Sequence, residues 1–141
     1  MKALKFFVLL LVGIFLLNFF GDIVKVEKAI SEIGMVSMDS LEKIEKAEIL
    51  FDALPDKKKE IVHSYYKLFS AREEYDGMAI RIQEGINVIA RIGEVSKDSA
   101  DAIARARQIY DQLEDAGLVR YVTNGAVLIQ AEQQYAGLVA E

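Results

Sequence analysis

At 141 residues and 52% hydrophobic content, the chain has room for one ordinary domain or two small ones and is too apolar for a disordered tail. One Pro and no Cys exclude collagen-like, disulfide-stapled and zinc-ribbon classes, and nine Gly with that single Pro leave too few turn signals for a many-stranded sandwich, so an all-α fold is expected. Of the net charge of −5, Lys2 and Lys5 belong to the first twenty positions; the rest carries 15 basic against 22 acidic groups, a body of −7 that phosphates repel, and no nucleic-acid partner is expected.

The first element is an uncharged stretch between Lys5 and Asp22, apolar over residues 6–20 except for Gly13 and Asn18. Residues 3–20 as a helix would run roughly 27 Å, slightly short of a ~30 Å hydrocarbon core, a gap that snorkelling of Lys5 closes. Two readings stay open for residues 1–21. A signal anchor would leave the N-terminus cytoplasmic by the positive-inside rule. A cleaved signal peptide needs small residues at the cut, and the site is poor: Gly21 suits the last position, but bulky Phe19 stands two places before it. In both cases the body lies outside the cytoplasm, and a buried core helix is the bland alternative.

The body reads as a duplication. Ile30, Ile33, Gly34, Val36, Ser37, Asp39 and Ser40 recur 59 positions later as Ile89, Ile92, Gly93, Val95, Ser96, Asp98 and Ser99; over the 25 paired positions from 30 to 54 there are 11 identities, where unrelated sequences would give about one or two. After a one-residue insertion the match resumes at Val62 and Val122, Leu68 and Leu128, Ala71 and Ala131, and Tyr75 and Tyr135. The expected domains are therefore 22–76 and 77–141.

Each module predicts three helices. Ile23, Val26, Ile30 and Ile33 step by three and four and end at Gly34, a natural residue for the position just past a helix. Asp39 and Asp98 are the expected N-caps of the next helix, with Glu42 and Asp101 three places on. That helix buries Leu41, Ile44, Ala47, Phe51 and Leu54, and its twin Ile103, Ala106, Tyr110 and Leu113. Pro55 ends it in the first module and Gly117 marks the same turn in the second. Val36 and Val95 are expected to plug the core from the crossing loops.

The third helix carries an unbroken seam of alternating fours and threes: Ile61, Tyr65, Leu68, Arg72, Tyr75, Ala79, Ile82, Ile86 and Ile89, with Arg72 its only polar member. It predicts one continuous helix over 57–92, about 50 Å long and shared by both modules as a stiff connecting element. Gly77 and Gly85 are its weak points. Together these features predict an N-terminal hydrophobic helix followed by two tandem three-helix-bundle repeats sharing a long connecting helix.

The run Ile-Gly-x-Val-Ser-x-Asp-Ser, then Ile-x-x-Ala and aromatic-Asp-x-Leu, followed later by Val122, Thr123, Asn124, Ala131, Glu132 and Tyr135, resembles the helical repeats grouped as FIVAR or GA-like, found mostly in secreted and cell-surface proteins of Gram-positive bacteria. The resemblance covers nearly all of residues 22–141. It implies small three-helix units strung as stalks or binding modules without catalytic activity. The second copy keeps more of the pattern, since His63 and Ser64 stand where it has Thr123 and Asn124.

Candidate chemistry is sparse. His63 is the only histidine, and Glu60-Ile-Val-His63 is one half of a di-iron motif whose other half is missing, so His63 is expected at the surface and no metal or cofactor is expected. No nucleophile, paired base or phosphate-cradling loop is recognisable, and no catalytic residue is nominated. Glu42, Glu45 and Glu48 fall on a polar helix face. Asp52 and Asp111 recur and are expected to make a hydrogen bond or ion pair within each module. Lys57, Lys58 and Lys59 form the one basic run, at an expected helix start, either a solvated tip or a contact for anionic lipid or wall polymer. Among the tyrosines, Tyr66 and Tyr121 are expected to be the exposed ones.

The functional expectation is a non-enzymatic extracytoplasmic repeat protein, membrane-tethered through residues 3–20 or secreted, serving as spacer or as an interaction module for a protein or cell-surface polymer. Its rival is an extracytoplasmic sensor or regulatory subunit of a membrane complex. Self-association through the long seam is a further expectation.

Overall fold

The computed structural model describes residues 2–140, which form an all-helical chain with no strand among the described residues. The helices are α1 (Lys2–Ile33), α2 (Leu41–Asp52), α3 (Asp56–Lys59), α4 (Tyr65–Ala90), α5 (Ala100–Asp115) and α6 (Gly125–Val139), with 3-10 turns at Met38–Ser40, Lys97–Ser99 and Val119–Tyr121. The chain divides into two compact units, Met1–Tyr75 and Asp76–Glu141. α4 supplies residues 65–75 to the first unit and 76–90 to the second.

In the first unit α1 changes character along its length. Phe7, Leu9, Leu11, Ile14, Leu16 and Phe20 are all exposed, whereas Ile23, Val26, Ile30 and Ile33, at the predicted spacing, are buried against α2 and the start of α4. No break separates the two halves. Gly34 then takes a left-handed φ of 64° that a β-carbon would disfavour, and the helix stops.

The caps of the next helix differ from the Asp39 and Asp98 expected. Ser37 accepts from the Asp39 amide at 3.3 Å, while the Ser37 amide donates to Ser40 Oγ at 3.0 Å. Ser96 and Ser99 repeat the arrangement at 3.3 and 2.9 Å. A serine pair satisfies the free amides of a 3-10 turn that precedes the α-helix, and the part that Asp39 and Asp98 play in it is to donate their backbone amides to Ser37 and Ser96. Val36 and Val95 are half-buried at these crossings.

The continuous helix predicted over 57–92 is shorter. α3 is a single turn, the chain is non-helical at 60–64 except for turns, and α4 begins at Tyr65. The reason is local: the amides of His63 and Ser64 donate to the Glu27 carboxylate of α1, at 2.7 and 3.4 Å, instead of joining a helical ladder. α4 still has 26 residues, about 39 Å, and runs unbroken through Gly77 and Gly85. Because α3 is so short, its three lysines fall in its last turn, behind Asp56 in the first, so they complement the helix dipole where the sequence had placed them against it.

The second unit buries the same register. Ile23, Ala29, Ile30 and Ile33 have buried counterparts 59 residues on in Ile82, Val88, Ile89 and Ile92, as do Ile44, Ala47 and Leu54 in Ile103, Ala106 and Leu113. Val62, Leu68 and Ala71 match Val122, Leu128 and Ala131 at a separation of 60. Each fully buried Ile or Leu of this set contributes about 1.5–3 kcal/mol. At two positions only one unit places a buried apolar side chain. Val26 is replaced by Gly85, where an added β-carbon would lie 2.5 Å from Leu113 Cδ1, so Leu113 fills the space that a valine occupies in the first unit. Lys58 is replaced by Leu118, which is buried.

Candidate functional site

Three sets of polar side chains are positioned by these helices, and two of them recur in altered form. The first joins α2 to α4 in the first unit and α5 to α6 in the second. Arg72 on α4 donates from Nε and Nη2 to the two carboxylate oxygens of Glu48 on α2, at 2.8 and 2.6 Å. Arg107 on α5 does the same to Glu132 on α6, at 2.7 and 2.6 Å. Glu48 corresponds to Arg107 and Arg72 to Glu132, so both bidentate pairs occupy one place in the repeat with opposite polarity. Half-burial and the fork geometry make such a pair stronger than a solvated one. The carboxylates of Glu132 and Asp111 hold the Arg107 guanidinium well above its ordinary range, although its partial burial works the other way.

Arg72 lies 6.0 Å from the Tyr75 ring and Arg107 5.2 Å from the Tyr110 ring. Around the first pair an open cleft of about 230 Å³ is lined by Glu48, Phe51, Asp52, Tyr65, Phe69 and Arg72. Phe51 and Tyr65 stack with centroids 4.5 Å apart. Tyr65, placed inward by its seam position, is thus at the exposed edge of that stack. In the second unit Tyr110 takes the place of Phe51 and Gly125 that of Tyr65, with Tyr110 Cε2 only 2.9 Å from where a β-carbon on Gly125 would stand.

The second set clamps the start of α4 to α1. Glu27 accepts from the His63 and Ser64 amides and from the Ser64 hydroxyl. Burial pushes the Glu27 carboxyl up, but the Ser64 hydroxyl and the two amides outweigh it and leave it below its ordinary value. At the equivalent place in the second unit, Asn124 Nδ2 donates 2.8 Å to the Ile86 carbonyl. The bonding side chain lies on α1 in the first unit and just before α6 in the second, where its bond ends on the backbone of α4.

The third set occurs in the first unit alone. Lys58 of α3 donates to Asp22 Oδ2 at 3.0 Å, and its ammonium lies 5.1 Å from the Phe19 ring. Lys59 stands 5.5 Å from the Phe51 ring, and Lys57 is exposed. α3 therefore sits beside the point where α1 turns from exposed apolar to buried stripe.

The sequence-nominated residues fare unevenly. His63 is exposed, and its backbone rather than its ring enters the clamp. Asp111 accepts from Arg107 Nη1 at 3.3 Å; Asp52 has Glu48 four residues before it where Asp111 has Arg107, and among the described residues the expected bond is found in the second unit. Glu48, assigned to a polar face, is half-buried in its ion pair. Tyr66 is 65% exposed as expected, but Tyr121 is half-buried, with the Arg120 guanidinium 4.7 Å from its ring. The swapped ion pairs and Glu27 were missed. The pairs were detectable in the sequence, since aligning the copies sets Glu48 on Arg107 and Arg72 on Glu132. Among the described residues, no three His, Asp or Glu side chains gather as a metal ion would require. What these groups do chemically is hold helices together.

Comparison with protein-family models, with curated proteins and with solved structures finds no match to the chain.

Proposed function

We propose that the chain is a non-enzymatic, membrane-tethered extracytoplasmic protein built of two tandem three-helix modules of the FIVAR/GA-like kind that share α4, acting as a spacer or interaction module. The observation that carries this reading is the continuity of α1. One helix provides exposed Phe7, Leu9, Leu11, Ile14 and Leu16, and then, without a break, the buried stripe from Ile23 to Ile33. It is the one helix among the described residues that is long and apolar enough to cross a membrane. Exposed apolar surface on that scale is costly in water and stable in lipid. An anchor continuous with the core also leaves no flexible linker between membrane and body.

The test is intact mass spectrometry of untagged protein from separated membrane and medium, with protease shaving of whole cells. A full-length mass that resists carbonate extraction, with a body cleaved from outside, is the expected result. A mass short by about 21 residues in the medium would replace the tether with a secreted module.

The same continuity favours a second reading, a sensor or regulatory subunit in which movement of the anchor passes into the module core. Co-purification with a defined membrane enzyme in mild detergent would select it.

A further inference from the structure

We propose that α3 is a basic foot that binds the headgroups of anionic phospholipids in the bilayer holding α1. The proposal rests on the tether reading above. Three observations lead to it.

The first is position. Asp22 is the first charge after the apolar stretch, so with residues 7–20 in hydrocarbon it stands at headgroup depth, and the Lys58 contacts to Asp22 and Phe19 bring α3 to that same depth.

The second is that the lysines do not belong to the repeat. At a separation of 60, Lys57, Lys58 and Lys59 correspond to Gly117, Leu118 and Val119. Leu118 is 5% exposed and serves the core. Only the copy next to the apolar helix replaces this apolar turn with the one run of three basic residues in the chain. Folding does not require that replacement, since the second unit closes the same turn with apolar side chains.

The third is how the three are used. Lys58 is largely buried, its charge answered by Asp22, so it fixes α3 against α1. Lys57 and Lys59 are not ion-paired among the described residues, and each has a stem long enough to carry its ammonium to a phosphate. A body of net −7 is otherwise repelled by an anionic surface, and a lysine near such a surface is attracted by about fivefold in binding. Phosphatidylglycerol, with one phosphate and no compensating cation, is the headgroup chemistry that fits.

The experiment reconstitutes the full chain in nanodiscs of equal parts phosphatidylcholine and phosphatidylglycerol, and counts by native mass spectrometry the lipids that stay bound when the disc is stripped. The wild type is expected to enrich phosphatidylglycerol. Lys57→Gln should reduce the enrichment about fivefold, and Lys57→Gln with Lys59→Gln should reduce it further. High salt should do the same to the wild type without any substitution, which keeps the proposal testable if the double variant fails to fold. Lys43→Gln, on an exposed lysine at the start of α2 beyond the far end of α1, serves as the comparison. A chain that inserts but shows no enrichment, or loses no more with Lys57→Gln than with Lys43→Gln, overturns the foot and leaves the tether intact. A chain that does not insert overturns the tether, and the foot with it.

Discussion

The two units bury the same apolar register and close their 3-10 turns with the same serine pair, yet where side chains join one helix to another they solve one geometric problem by different chemistry. The helix-pairing ion pair is Glu48 to Arg72 in one and Arg107 to Glu132 in the other. The clamp is a carboxylate from α1 holding the start of α4 in one unit, and an amide at the start of α6 holding α4 in the other. The aromatic stack of Phe51 and Tyr65 becomes Tyr110 over Gly125. Position in the fold is thus held by apolar packing, while polar residues need only satisfy each other locally, so pairs can change together.

The comparison is broken most directly in the core. Leu68→Ala and Leu128→Ala should each cost about 2–5 kcal/mol, the two values agreeing closely if the burial is equivalent, as read for each unit by native-state hydrogen exchange. Gly85→Val installs the first unit's Val26 in the second. It should destabilise by about 1–3 kcal/mol, because Leu113 already fills the site, and chemical denaturation with Leu113→Ala in the background should show the loss shrinking. Glu48→Arg alone sets two guanidiniums together and should cost about 1–2 kcal/mol, given the half-exposed setting. Adding Arg72→Glu recreates the second unit's polarity and should restore most of that loss in a double-mutant cycle.

The smallest effect separates the clamps by pH. Because the folded Glu27 carboxyl lies below its ordinary value, its contribution is fully present above that ordinary value and fades as the pH falls through the lower, folded one. The stability of the first unit should decline over that acid range and the decline should be reduced in Glu27→Gln, while Asn124 gives the second unit no such dependence at its clamp.

The helical class and the core were legible because they follow from period and repetition. The steps from Ile23 to Ile33, and the pairing of Ile44 with Ile103 and Leu68 with Leu128, needed no knowledge of distance. The break at 60–64 was not legible, since it depends on a Glu27 carboxylate 36 residues away capturing amides that local pattern assigns to a helix. The caps were misplaced by two residues because Ser37 and Asp39 are both good cap formers, and only the 3-10 turn decides between them. Of the polar sites, the ion pairs left a trace in the aligned copies, whereas Glu27 and Asn124 share neither residue type nor helix and left none.

Opposite polarity in the two ion pairs has a bearing on how a chain with two similar halves reaches its native pairing. A nascent duplicate risks exchanging equivalent helices between copies, because the apolar stripes share most of their register. Here, α2 meeting α6 would set Glu48 against Glu132, and α5 meeting the first part of α4 would set Arg107 against Arg72. Each mispairing forfeits a bidentate bond and brings like charges together in a half-buried place, so the helices that carry these pairs discriminate their own partner from the copy's. The swap gives the two halves separate identities without altering a single core residue.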